Sequence, residues 1–446
     1  MFKLNVLALA VTSLWASQAV AGYPADIKQL GKGFIDDSKS YLQFKIENYN
    51  YDHRFSDGKS NIDNETPLYI EYGFSSGYYD DWIGVDIAPM LVTMVDWASE
   101  YREGTDRYGL GNTLPNGETY ANLGVAYIKT KFDLGDYGTL KAGFGKKRRY
   151  TTLFNEKVIR INESSTNGYD VSYDHADHNL FVSYIDGFQN FGQSDYITDI
   201  VDWQGNRIDY ILLTGLNGKL NSTNYKFEYA ESKDYIRRVL YQADYTVDSL
   251  KTNFMVRGTN VLGVGDQFTD VGKKITDDGK SGLVHLVTTT KFGNGTTMNI
   301  KATKVYDGDV VQDWGHGATI SRPMLQNTML GNEVPLIEGE EALMLKFSQD
   351  FSEILWKGLT GYAQFWKGWN AKNVDGYHRE EYVLEVKQDF GKLHPVLEGL
   401  TFRYIFMHHD GRGVDNGYRD NRVDNVYNFL TDDIYRKATL QYRLVF

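Results

Sequence analysis

A period-two alternation of apolar and polar side chains recurs about eighteen times along this chain, and only a strand puts alternate residues on opposite faces. The first run is YLQFKIENYNY at 41–51, with Leu42, Phe44 and Ile46 on one face and Gln43, Lys45, Glu47 and Tyr49 on the other. Further runs fall at 67–74, 82–89, 122–132, 139–147, 168–174, 180–186, 209–216, 224–231 and 238–245. The remainder lie at 252–259, 283–291, 298–306, 341–348, 359–366, 380–388, 400–407 and 435–446. In the last of these Ala438, Leu440, Tyr442, Leu444 and Phe446 alternate with Thr439, Gln441, Arg443 and Val445, so the chain closes on an aromatic.

Each run is near the roughly 9–11 residues that a tilted strand needs to cross a bilayer. The connections segregate by parity. Those at 75–81, 133–138, 174–179 and 291–296 are short and rich in Gly or Asp, whereas 90–121, 146–167, 187–208, 260–282, 307–340 and 408–434 are long. Turns on one side of a membrane and loops on the other explain that pattern. The fold expected is all-β: a transmembrane antiparallel barrel of about 18 strands, with short periplasmic turns and long extracellular loops. Closure pairs every backbone group, so a chain of mean hydropathy −0.45 can cross lipid without an apolar helix.

The ends agree. Lys3 precedes an apolar stretch at 4–14, and Ala19-Val20-Ala21 supplies small residues for a peptidase. That predicts a signal peptide over 1–21 and a single mature barrel domain over 22–446. The 33 Tyr, 23 Phe and 44 Gly suit strands, interfacial aromatic girdles and turns. With no Cys there is no disulfide framework and no thiol for metal or redox chemistry. A net charge of −12 argues against nucleic acid as a partner.

The basic stretch LKAGFGKKRRY at 140–150 carries the most pointed chemistry. By parity Lys141, Lys147 and Arg149 face the lumen, with Lys146 and Arg148 beside them and Lys157 and Arg160 in the loop that follows. A cationic track at a constriction would draw anions inward, because a water column in a low-dielectric wall confines the field. Inward parity elsewhere adds Lys45, Lys226, Lys301, Lys387, Arg403 and Arg443, with Glu47, Glu228, Glu381 and Glu385 on the same faces. Some of these cations would merely neutralise wall carboxylates. Tyr362 and Trp366 also face inward, and with Trp203, Trp314 and Trp369 they could form a stacking trail for sugars, against the girdle role such residues commonly have.

GFIDDS at 33–38, the basic strand followed by Arg160 and STNGYDVSY at 165–173, and the closing strand resemble, in that order, the OprD-type family of substrate-specific outer-membrane porins, including its chitoporin branch. The resemblance spans nearly the whole mature chain. It implies eighteen strands, an inward-folding loop at 146–167, and a basic ladder carried by Lys147, Arg149 and Arg160, with Lys141 as a further rung. The family's proline-rich constriction loop is absent, since no Pro lies between Gly145 and Asp170. It also implies Tyr442 and Phe446 as an assembly signal read by barrel-assembly machinery, lipid and lipopolysaccharide as surroundings, and a monomer or homotrimer.

The function expected is passive, selective diffusion of small hydrophilic solutes, carboxylate-bearing or zwitterionic, through the bacterial outer membrane, with no cofactor. An oligosaccharide channel is the alternative within this class, and an outer-membrane hydrolase or an adhesin outside it. His408-His409-Asp410 has no nucleophile adjacent in sequence. His175, Asp177 and His178 offer metal-ligand types in a turn, and the Asp pairs 277–278 and 432–433 could bind divalent cations. YGLGNT at 108–113 lacks the strand-to-helix setting of a phosphate loop.

Overall fold

The computed structural model describes residues 33–55, 60–97, 119–156, 161–190, 192, 194–202, 205–265, 279–310, 314, 337–415 and 431–446. Eighteen strands form one antiparallel sheet that closes on itself, because β1 (Lys39–Phe55) pairs both with β2 (Ser60–Ser75) and with β20 (Thr431–Val445). Between them run β3 (Ile83–Trp97), β4 (Tyr120–Asp133), β5 (Thr139–Lys147), β6 (Ser165–His175) and β7 (His178–Gln189). A two-rung ladder, β8 (Ile200–Val201) with β9 (Arg207–Ile208), stands apart from the barrel. The wall resumes with β10 (Ile211–Leu220), β11 (Thr223–Ser232), β12 (Ile236–Val247), β13 (Thr252–Gly263), β14 (Lys280–Lys291) and β15 (Thr296–Tyr306). It ends with β16 (Glu341–Asp350), β17 (Leu359–Trp369), β18 (Val374–Asp389), β19 (Leu400–Asp415) and β20.

Every run read from the sequence coincides with a barrel strand, and the faces follow the alternation. Phe144, Tyr169, Phe227, Tyr241, Phe254, Leu286, Phe347 and Leu384 point outward and are exposed. Glu47, Glu228, Lys301, Trp366 and Glu381, on the other parity, are buried. The outer surface is thus a band of large apolar groups and the inner surface carries the charges, the reverse of a water-soluble barrel.

Several strands exceed the expected length, reaching 17 residues in β1 and 16 in β18 and β19. The connections read as 90–121 and 408–434 are correspondingly shorter: β3 continues to Trp97, β19 to Asp415, and β20 begins at Thr431. Hairpin pairing persists beyond the outward apolar band, where the alternation in the sequence fades. His408 and His409 therefore sit within a strand. At the loop end two connections are tight, 233–235 and 370–373, turning through positive φ at Asp234, Asn370 and Asn373. Pro67 and Pro89 lie where the β2–β3 and β3–β4 registers shift, as expected of residues with no N–H for a ladder.

Candidate functional site

The loop between β5 and β6 enters the lumen. Its departure depends on Gly145, whose φ of +115° disfavours any other residue and whose Cβ would lie 2.4 Å from the Ala126 carbonyl oxygen. Beyond it the adjacent cations diverge. Lys146 takes the outward parity, donating to Gln189 Oε1 at 2.6 Å and to the Tyr196 carbonyl at 2.7 Å. Lys147 faces inward, 3.0 Å from Asp170 Oδ2 on β6. Arg149 forks onto the same carboxylate, Nε to Oδ1 at 3.0 Å and Nη2 to Oδ2 at 2.8 Å, while Nη1 donates to the Thr166 carbonyl and hydroxyl. Arg148 goes the other way, along the inner wall to Glu71 on β2.

The tip of the loop is tied to the far side. Glu228 on β11 accepts the backbone N–H groups of Thr152 at 3.1 Å and Leu153 at 2.7 Å. Lys226 donates to Thr152 Oγ1 at 2.7 Å, and Trp314 Nε1 donates to the Leu153 carbonyl at 3.0 Å. Leu153 and Phe154 then pack into a buried apolar cluster with Ile185, Leu213, Leu240, Val261, Leu283, Val305 and Trp314. Ile161, further along the same loop, packs against Tyr69, Met90, Val92 and Tyr120 on the β2–β4 wall. One loop is therefore anchored to inward-facing residues of both β2 and β11, and it spans the lumen as a chord.

Glu156, wholly buried in this loop, accepts from the Arg149 N–H and from the Thr166 hydroxyl, and its Oε1 has no hydrogen-bond partner among the described residues. Burial pushes its pKa up to about 8, against the pull of Arg149.

The wall from β13 to β20 carries cations on its inward parity: Arg257, Lys301, Lys346, Lys387, Arg403 and Arg443. Arg403 donates to Glu385 at 2.5 Å, Lys346 lies 3.5 Å above the Tyr362 ring, and Arg443 lies 4.0 Å from the Tyr41 ring centre. Arg257 and Lys346 join this wall beyond the residues that the sequence reading names. Their inward parity beside Lys301 was the available signal.

The other residues read from the sequence fall as follows. Lys141 pairs with Asp174 near the turn end at 2.8 Å. Glu47 is shared by Lys45 at 3.6 Å and Lys437 at 2.9 Å. Trp366 is inward but only 2% exposed, with the Arg379 guanidinium 4.5 Å from its ring centre. Trp314 is 1% exposed and covered by Arg238 at 4.0 Å. Those two ring faces are occupied by cations, which leaves no open stacking surface on them for sugar.

His178 meets the Tyr225 hydroxyl at 2.8 Å and His175 stacks on Tyr173. No group of three metal-ligand residues is gathered among the described residues. Asp432 accepts from His408 at 2.8 Å and Asp433 from Tyr51 at 2.9 Å. Lys157, Arg160, Trp203, the 108–113 stretch, Asp277 and Asp278, and the signal segment lie outside the described residues.

No protein-family model matches the chain, and no curated protein does. Solved structures match along almost its whole length. Pseudomonas aeruginosa OpdK, solved with vanillate, is 17% identical with a TM-score of 0.70, covering 93% of this chain and 100% of its own. P. aeruginosa OccK9 (OpdG) gives 17% and 0.71 over 93% and 100%, and OccK3 (OpdO) gives 14% and 0.70 over 95% and 100%. OpdK is described as an outer membrane protein. This chain has the closed-barrel fold of those P. aeruginosa proteins.

Proposed function

We propose that the chain is an outer-membrane channel that passes small hydrophilic solutes by passive diffusion and favours those bearing a carboxylate. The observation that carries this is the juxtaposition of a lumen-crossing loop with a wall bearing Arg257, Lys301, Lys346 and Arg403. A solute passing the loop must run along that wall. Cations there act through water confined by low-dielectric strands, so each is felt more strongly than on an open surface. The OprD-type resemblance of the sequence and the barrel fold support the outer membrane as its location, with the short turns toward the periplasm. The basic stretch contributes less directly, since Lys147 and Arg149 share Asp170.

The test is the reversal potential of the purified protein in a planar bilayer under a KCl gradient. Replacing Lys301 and Lys346 together by Gln should shift preference toward cations and slow benzoate-type anions more than neutral solutes. The shift should fade near 1 M salt, where the Debye length is about 3 Å. An unmoved reversal potential at low salt would retire the anion preference, and a protein that inserts without conducting would retire the channel.

A further inference from the structure

Glu71 on β2 is 2% exposed on the inner wall. Each of its oxygens accepts one hydroxyl and one guanidinium N–H. Oε1 takes the Tyr41 hydroxyl at 2.6 Å and Arg148 Nη1 at 3.1 Å, and Oε2 takes the Tyr69 hydroxyl at 2.5 Å and Arg148 Nη2. The acceptor is saturated and holds no place for a solute. Arg148 reaches it over the inner faces of β4 and β3, and Gly124 on β4 makes the passage possible. A Cβ at Gly124 would stand 2.8 Å from Arg148 Nη2 and 3.2 Å from Glu71 Oε2.

The two attachments of the loop differ in kind. At β11 the Thr152 and Leu153 backbone N–H groups are held, which no side-chain change in the loop removes. At β2 the polar tie among the described residues is a single guanidinium. Between them Tyr150 is 55% exposed and donates to Glu163 at 2.5 Å, so this edge borders the open part of the lumen.

We propose that Arg148–Glu71 is a latch that holds the base of the loop back against the β2–β4 wall and keeps the passage open. Glu71 is then a positioning residue for the pore and makes no contact with solute. Released, the guanidinium and Tyr150 are free to move into the ion path while Ile161 stays packed on the wall, and the channel flickers. This rests on the channel reading above.

Single-channel recording tests it on the full chain. Wild type should show a quiet open level. Glu71→Gln, which keeps the shape and removes the charge, should make brief closures about tenfold more frequent, a change of about 1.4 kcal/mol in that equilibrium. Arg148→Gln should do the same, and the double variant should be no worse than either single one, because one latch can be broken only once. Gly124→Val leaves both charges in place and displaces the guanidinium, so it should flicker as well. It serves as the deciding variant if Glu71→Gln does not assemble. Variants that assemble and conduct as quietly as wild type overturn the latch while leaving the channel intact. A double variant whose closures multiply the two single effects also overturns it. A silent wild type fails the channel reading itself.

Discussion

Phe446 and Ser40 exchange both backbone hydrogen bonds, Phe446 N–H to the Ser40 carbonyl at 2.8 Å and the reverse at 3.3 Å. They form the last rung of the seam between β20 and β1, below the register pairs Tyr41–Val445 and Phe44–Tyr442. Closing the sheet abolishes its edges, so the seam completes the barrel. Deleting Phe446 removes the rung and the aromatic together, whereas Phe446→Ser removes only the aromatic. Both should lower the yield of heat-modifiable barrel, the deletion more. Equal yields of folded protein from all three chains would show that the rung and the ring are dispensable.

The absence of native Cys allows single labels along β11 and β19. Spin labels at Tyr225, Phe227 and Tyr229, and at Phe402, Tyr404 and Phe406, should be accessible from lipid. Labels at Lys226, Glu228 and Arg403 should be reached from water. The expected signal alternates with a period of two, and the phase of the two strands is fixed by their pairing partners.

The wall was legible because an apolar outer face and a polar inner face impose the same alternation on every strand. It ceased to be legible where that asymmetry ends, in the extensions to Phe55, Trp97 and Asp415. The loop's anchors were not readable: Arg148 and Glu71 are 77 residues apart, and nothing local links them. The sequence does carry one signal of the loop. Leu213, Leu240, Val261, Leu283 and Val305 are apolar on the inward parity near the loop end, and an apolar inner wall implies that something folds in to cover it.

Removing Arg149 should cost far more than removing Lys141. Arg149 and Asp170 are 2% and 12% exposed, and Lys141 and Asp174 are 48% and 37% exposed. Breaking a buried pair by deleting one partner costs about 3–5 kcal/mol, and an exposed pair contributes about 0.2–1 kcal/mol. Lys147, 3.0 Å from the same Asp170, should hold the loss for Arg149→Ala to the lower end of its range. Urea midpoints in detergent micelles check the ranking, which fails if Lys141→Ala proves the more damaging.

The lumen-crossing loop should loosen as pH rises, and Glu156 supplies the sign. Burial raises its pKa from the usual 4.5 to about 8, with Arg149 and Arg148 opposing. Between those values the packed loop holds a proton that an unpacked loop would release, so packing is fully favoured below the lower value and weakens as pH climbs through the upper one. Ionised, the carboxylate keeps its bonds from the Arg149 N–H and Thr166, but among the described residues Oε1 faces no donor, and an uncompensated buried charge is costly. Open-channel noise should therefore grow between about pH 5 and about pH 8. Glu156→Gln, neutral throughout, should stay quiet across that range. Noise that rises equally in both proteins would assign the effect to another group.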